Sequence, residues 1–346
     1  MTELIIGNSS RRFSGVTAAM LQVLPEQQKC LSLAVMGKHY VPQDVPVLSF
    51  WQVAHMARKP LPDGRWRVFH ARRNDEMIQA LVLKHLFRAK IRMVFTSTAQ
   101  RYHSGFSRWL MSKMDAVIST CQAAAGYLQQ PPAAIIPHGV DTGRYHPAVD
   151  KAQAWAQLGL PGRYGIGIFG RVRKQKGIDL LVKAACKLLP RYPDFTLLIV
   201  GEVTLEHQDF VSELKQQIAA AGLEQRILFL GKQSFSAIPD LFQAMSIVAA
   251  LSRNEGFGLT VLEAMSSGAA VLASEAGAWA ELVDQGQQGY VVPCDDLAAT
   301  EQGLEKMLKQ PARLDEMGRQ GRAKVLDRYK VEQEARALCD FFKTLM

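Results

Sequence analysis

Short apolar runs recur along the chain, each followed by a polar turn and then by a stretch with helical spacing. This alternation predicts an α/β protein with parallel strands. In the first part the runs predict strands at Glu3–Gly7, Leu31–Met36, Val47–Trp51, around Val68–Phe69, at Arg92–Ser97, Met114–Thr120 and from Ala134. Val16–Leu24 reads as a helix, and Gly126–Leu128 as a helical tail. In the second part strands are predicted at Tyr164–Phe169, Phe195–Gly201, Ile227–Leu230, Ile247–Leu251, Ala269–Ala273 and Gly289–Pro293. Helices are predicted between them at Ile178–Leu189, Phe210–Ala221, Ile238–Ala244, from Leu259 to the cap at Gly268, and at Trp279–Val283. Leu297–Leu308, Leu314–Tyr329 and an amphipathic Val331–Leu345 close the chain. Runs as unbroken as Phe-Thr-Leu-Leu-Ile-Val belong to strands buried on both faces.

The richest turn is Ser252–Gly268, SRNEGFGLTVLEAMSSG, between two of these runs. It lies at the carboxyl end of a strand, where ligands of doubly wound sheets bind. Gly256 and Gly258 let a ligand approach the backbone, and the amides opening the following helix suit a diphosphate. Glu255 and Glu263 would repel phosphate but suit sugar hydroxyls, because a carboxylate accepts two hydrogen bonds from a diol. Upstream, the turn Gly170-Arg171-Val172-Arg173-Lys174-Gln175-Lys176-Gly177 places two glycines and several cations at another strand end.

These two stretches resemble the E-x7-E and G-R-x4-K-G motifs of retaining GT-B glycosyltransferases, family 4. The resemblance implies two doubly wound Rossmann-like domains facing a cleft. An acceptor-binding domain spans residues 1–150 and a nucleotide-sugar domain residues 151–330, with helix 331–346 crossing back to the first. It also implies Glu255 on the donor sugar, Glu263 on the ribose, and Arg171 and Lys176 on the diphosphate. The donor set so implied is Gly15, Gly170, Arg171, Lys176, Lys232, Gln233, Glu255, Gly256, Phe257, Gly258, Leu259 and Glu263, with Glu255, Arg171 and Lys176 catalytic. Gly15 stands alone where the family carries a glycine-rich loop. The histidine that many members carry after the Arg92–Ser97 strand is replaced by Thr98 or Ala99, with His103 further on. His138 stands where Asn is frequent. HARRNDEM, FTSTAQRYH and PHGVD are together similar to the lipopolysaccharide core mannosyltransferases of the family, which implies mannose from GDP-mannose and a Kdo-bearing lipid A precursor as acceptor.

The charge supports an anionic partner for the first half. Residues 1–150 hold 18 Lys and Arg against 9 Asp and Glu, whereas residues 151–346 hold 23 of each. His70, Arg72, Arg73, Arg101 and His103 are the expected acceptor contacts, since a guanidinium fork matches carboxylate or phosphate. Arg11 and Arg12 are expected to face an anionic membrane surface, which places the protein at the cytoplasmic face of the inner membrane. No apolar run approaches a membrane span, and MTELIIGNSSRRF has the wrong charge order for a signal peptide. Five scattered cysteines read as free thiols. There is no D-x-D triad for a divalent metal beneath a diphosphate, so no metal and no cofactor are expected. A nucleotide-sugar epimerase shares the fold and donor and stays open, as does a family 4 transferase using a UDP-sugar on another glycan or glycolipid. A dinucleotide oxidoreductase is disfavoured because SSRRFSG lacks G-x-G-x-x-G. Nucleic acid is disfavoured by the lack of any helix-turn-helix, zinc or RNP signature.

Overall fold

The computed structural model describes residues 1–346 and divides into two compact units. The first comprises residues 1–139 and 329–346, and the second residues 140–328. Residues 140–150, assigned to the first domain from the sequence, therefore belong to the second. Arg322 explains this locally: its guanidinium donates to the carbonyls of Thr142 and Tyr145 at 3.1 and 2.9 Å, and to Ser266 Oγ at 2.7 Å.

The first unit is built on seven strands: β1 (Leu4–Gly7), β2 (Leu33–Met36), β3 (Val47–Leu48), β4 (Arg67–Ala71), β5 (Ile91–Ser97), β6 (Ala116–Ser119) and β7 (Ala134–Ile135). All neighbours are parallel, in the order β3-β2-β1-β4-β5-β6-β7. Alternate residues point to opposite faces. Leu4, Ile6, Val68, Val94 and Ile118 enter one core, and Ile5, Phe69, Ala71, Met93 and Phe95 the other. The C-terminal helix, Val331–Leu345, covers the first of these faces with Val331, Ala335, Leu338 and Phe342, a helical stripe.

The second unit has six: β8 (Tyr164–Phe169), β9 (Phe195–Val200), β10 (Ile227–Gly231), β11 (Met245–Ala250), β12 (Ala270–Ser274) and β13 (Gly289–Val292). They too are parallel, in the order β10-β9-β8-β11-β12-β13. The chain order reverses between β8 and β11. In the first unit it reverses between β1 and β4. Open α/β sheets bind ligands at such switch points, outside the carboxyl ends of the strands.

Several local expectations are corrected. The strand expected at Val47–Trp51 stops at Leu48, because Ser49 and Gln52 form a reciprocal capping box that starts a helix at Phe50. The helical tail expected at Gly126–Leu128 is instead a short helix at Gln122–Ala125, ending before Gly126. The helices Asn74–His85, Gly105–Met111 and Lys151–Ala156 were not anticipated.

Candidate functional site

The two motif loops leave the strands on either side of the second switch point. Gly170–Gly177 follows β8, and Ser252–Gly258 follows β11. The sequence forces them together. Gly177 has φ +69°, and a Cβ there would lie 2.0 Å from the Leu251 carbonyl oxygen. The cation-rich turn can therefore pass the end of β11 only as glycine. Gly258 has φ +84° at the start of the Leu259–Ser266 helix, with the Trp279 indole where a Cβ would go. Trp279 Nε1 donates to the Gly258 carbonyl at 2.8 Å and fixes the turn.

Arg253 stitches the loops. Its guanidinium donates to both oxygens of Asp179 at 2.9 Å and to the Lys174 carbonyl, and it meets Asp295 at 2.6 Å. The Asp179 hydrogen bond, followed by the other acidic contacts, raises Arg253 above its ordinary range. Its backbone N–H donates to the Gln175 carbonyl at 2.8 Å.

Within this frame Lys176 Nζ meets Glu255 Oε2 at 2.5 Å, joining a residue of each motif, and Ser252 Oγ donates to the same oxygen at 3.3 Å. Both side chains stay about a fifth exposed, so the pair is partly shielded yet reachable. Arg171 is exposed at the opening of the same loop. Gly170 adopts a positive φ, and Gly256 and Leu259 line the turn into the helix, while Phe257 is buried beneath it. Glu263 sits one turn further on. Burial raises its carboxyl to about 7, opposed by a hydrogen bond from Tyr145 and by the charge of Arg144. Lys232 and Gln233 follow the edge strand β10. Lys232 is exposed, 3.6 Å from Glu202, and Gln233 Nε2 donates to the Leu230 carbonyl at 2.6 Å.

The expected contacts in the first unit separate. His70 was expected at the end of its strand and open to a ligand. It lies inside β4, 1% exposed, with Nε2 2.6 Å from Thr96 Oγ1 and its ring against Phe342. Burial, and then the charges of Arg72 and His138, push it well below the usual imidazole range, so it is a neutral core residue. Arg73 is tied to Glu76 at 2.9 Å and to Thr17 Oγ1 at 2.9 Å, and is an internal clamp. Arg72 stays half-buried beside them. His103 Nε2 lies 3.1 Å from Ser97 Oγ at the end of β5, and Arg101 is exposed. Gly15 opens the Gly15–Gln28 helix with open space around it, so nothing in the fold requires glycine there. His138 Nδ1 meets Glu334 Oε1 at 2.7 Å, and Gly139 N–H donates to Glu334 Oε2 at 2.8 Å.

Sequence reasoning missed Arg253, Tyr145, Trp279 and Glu334. Their partners lie 74, 118, 21 and 196 positions away, and no local spacing announces such pairings.

A switch-point site made of a glycine-bounded basic loop and an acidic turn suits a nucleotide diphosphate carrying a neutral polyol. Comparison with known proteins gives the family. Residues 153–324 match the model of the glycosyl transferases group 1 family. The chain is 42% identical to the lipopolysaccharide core biosynthesis mannosyltransferase LpsB of Rhizobium meliloti, over 99% of this chain and 98% of that protein. The crystallised C-terminal domain of the group 1 protein LpcC from Francisella tularensis is 39% identical, with a TM-score of 0.54, over 56% of this chain and 99% of that one. Anabaena HepE, solved in complex with UDP and glucose, superposes at a TM-score of 0.82 over the whole of both chains at 20% identity, a likeness of fold. With its two parallel-sheet domains and the loops of its second switch point, the chain belongs to the group 1 glycosyltransferases and has the GT-B fold.

Proposed function

We propose that this enzyme moves mannose from GDP-mannose, with retention at the anomeric carbon, onto a Kdo residue of a lipopolysaccharide lipid A precursor. The observation that carries the reading is the likeness, along nearly the full length of both chains, to a lipopolysaccharide core mannosyltransferase. The site chemistry is in keeping with it. Breaking a glycosyl–phosphate bond leaves negative charge on the diphosphate and positive charge on the anomeric carbon. Arg171 and Lys176 stabilise the leaving group electrostatically, in the role a divalent cation plays elsewhere, and the reaction is proposed to need no metal. Glu255 accepts from the hydroxyls of the transferred sugar, and Glu263 from the ribose diol. On the front-face route the leaving phosphate oxygen takes the proton of the attacking hydroxyl, so neither glutamate acts as the nucleophile of a retaining glycosidase.

The acceptor is amphiphilic, and we place the enzyme at the cytoplasmic membrane face. No helix is long and apolar enough to cross a membrane. Residues 77–114 contain seven Lys and Arg and no Asp or Glu. Within that stretch Tyr102, Phe106 and Trp109 are 81, 55 and 52% exposed, and the Phe106 and Trp109 rings stack. Aromatic rings among cations suit the headgroup region of an anionic bilayer.

A UDP-sugar donor is the competing reading. The test is a screen of GDP- and UDP-sugars against Kdo-capped and uncapped lipid A acceptors. Transfer from GDP-mannose to the capped acceptor supports the proposal, and transfer from UDP-glucose alone overturns it.

A further inference from the structure

At the switch point of the first sheet, Glu76 closes the ends of β1 and β4 with a single carboxylate. Oε1 accepts from Ser9 N–H at 3.3 Å, Ser9 Oγ at 3.2 Å and Arg73 Nη1 at 2.9 Å. Oε2 accepts from the backbone N–H groups of Arg72 at 2.7 Å and Arg73 at 3.1 Å. Glu76 is fully buried, and with five donors it is saturated. The arrangement brings Asn8–Ser9, after β1, against Arg72, after β4. The strand register agrees, since Ile6 pairs with His70 and two further residues on each strand reach Asn8 and Arg72.

Two groups at this junction lack partners. Arg72 Nη1 is buried without a hydrogen bond. The Arg72 side chain feels the charges of Glu76 and Glu334, but its guanidinium is in no ion pair, because Arg73 occupies Glu76 and the His138–Gly139 turn occupies Glu334. Burial pulls that guanidinium down to about 10, so it remains charged at neutral pH. Asn8 is fully buried. Its Nδ2 donates to the His39 carbonyl at 2.8 Å, which fixes the amide orientation and leaves Oδ1 unpartnered. A half-buried cation whose Nη1 has no acceptor and a buried acceptor without a donor are each costly. A ligand carrying an oxyanion beside a hydroxyl satisfies both at once, and sulfate, an oxyanion without a hydroxyl, satisfies only the first.

We propose that the end of β1 and β4 is a sugar-acid subsite, where the Arg72 guanidinium holds the acceptor's carboxylate and Asn8 Oδ1 accepts from a neighbouring hydroxyl. The assignment rests on the acceptor reading given above. It sharpens the pair of arginines expected from the sequence: Arg72 reads the acceptor and Arg73 builds the site. Because a planar fork grips a carboxylate in a fixed geometry, Arg72→Lys retains attraction without orientation.

The test uses the full-length enzyme with GDP-mannose, a synthetic Kdo glycoside and the methyl ester of that glycoside. Wild type is expected to favour the free acid over the ester by about tenfold or more in acceptor KM, the size of one charged hydrogen-bonded contact. Arg72→Ala is expected to bring that ratio to about one with the donor KM unchanged, and Arg72→Lys to fall between. Nucleotide binding by the variants reports that they are folded. Calorimetry of free Kdo, with inorganic sulfate as control, is run on the same proteins, and weaker Kdo binding in Arg72→Ala supports the subsite even if no mannose is transferred. Binding of Kdo without transfer would overturn the proposed function and keep the subsite. An Arg72→Ala enzyme that retains the wild-type acid-to-ester ratio, or a wild type that binds sulfate as well as Kdo, would overturn the subsite.

Discussion

At the scale of single residues the account depends on Glu255, Lys176 and Glu263. Glu255→Gln is expected to abolish transfer while leaving the unfolding temperature near that of wild type, because the side chain is about a fifth exposed and its loss leaves no cavity. Turnover near wild type would remove Glu255 from the site. Lys176→Ala and Arg171→Ala are each expected to lower kcat by about 10²-fold, as loss of an electrostatic stabiliser does. Glu263 gives a pH dependence with a definite sign. Its carboxyl is raised to about 7 in the fold, above the ordinary glutamate value, so the folded chain holds the proton more tightly than the unfolded one. The stability from this group is therefore full below the unfolded pKa and is lost as pH rises through about 7. Ribose binding runs the other way, since a diol needs the ionised acceptor. GDP affinity measured by calorimetry is expected to rise between pH 6 and 8 in wild type and to lose that slope in Glu263→Gln. The Tyr145 hydrogen bond lowers the carboxyl, so Tyr145→Phe should move the midpoint upward. A flat wild-type profile would remove Glu263 from the nucleotide site.

At the scale of elements, the fit of the basic loop against the end of β11 is the tightest constraint. Gly177→Ala forces a Cβ against the Leu251 carbonyl at a positive φ and is expected to destabilise the protein by about 2 kcal/mol or more in chemical denaturation. An unchanged midpoint would contradict the packing. This element was legible in advance, since two glycines, a basic run and an apolar strand before them are local signals. So were the helices Leu297–Leu308 and Val331–Leu345, whose apolar spacing is strong. The strand expected through Phe50 and Trp51 was misread because a short apolar run fits either structure, and only the Ser49–Gln52 capping box decides it. His70 was misread for another reason. A polar residue near a strand end looks functional, whereas Thr96 and Phe342, which make it a core residue, come from distant segments. The Arg253 stitch was illegible because its carboxylates, Asp179 and Asp295, are on other elements.

At the scale of the molecule, the excess of positive charge in residues 1–150 and the exposed aromatic group at 102–109 motivate reversible membrane docking. Each cation near an anionic surface contributes about 1 kcal/mol and is screened within a Debye length. Sedimentation with vesicles is expected to increase with anionic lipid content and decrease with salt. Phe106→Ser with Trp109→Ser is expected to weaken binding several-fold, and so is Arg11→Ala with Arg12→Ala, both arginines being exposed. Binding that ignores both salt and the aromatic pair would sink the docking surface. EDTA is expected to leave transfer intact, and strict dependence on magnesium or manganese would contradict the part given to Arg171 and Lys176.

The most direct measurement of the central claim follows radiolabelled mannose from GDP-mannose into lipid. Purified wild-type and Glu255→Gln enzymes are each given Kdo-capped and uncapped lipid A precursors, and the anomeric configuration of the product is read by NMR. The account predicts an α-mannosyl product from wild type with the capped acceptor alone, and none from the variant. No label in lipid, equal labelling of the uncapped acceptor, or a β-linked product would contradict it.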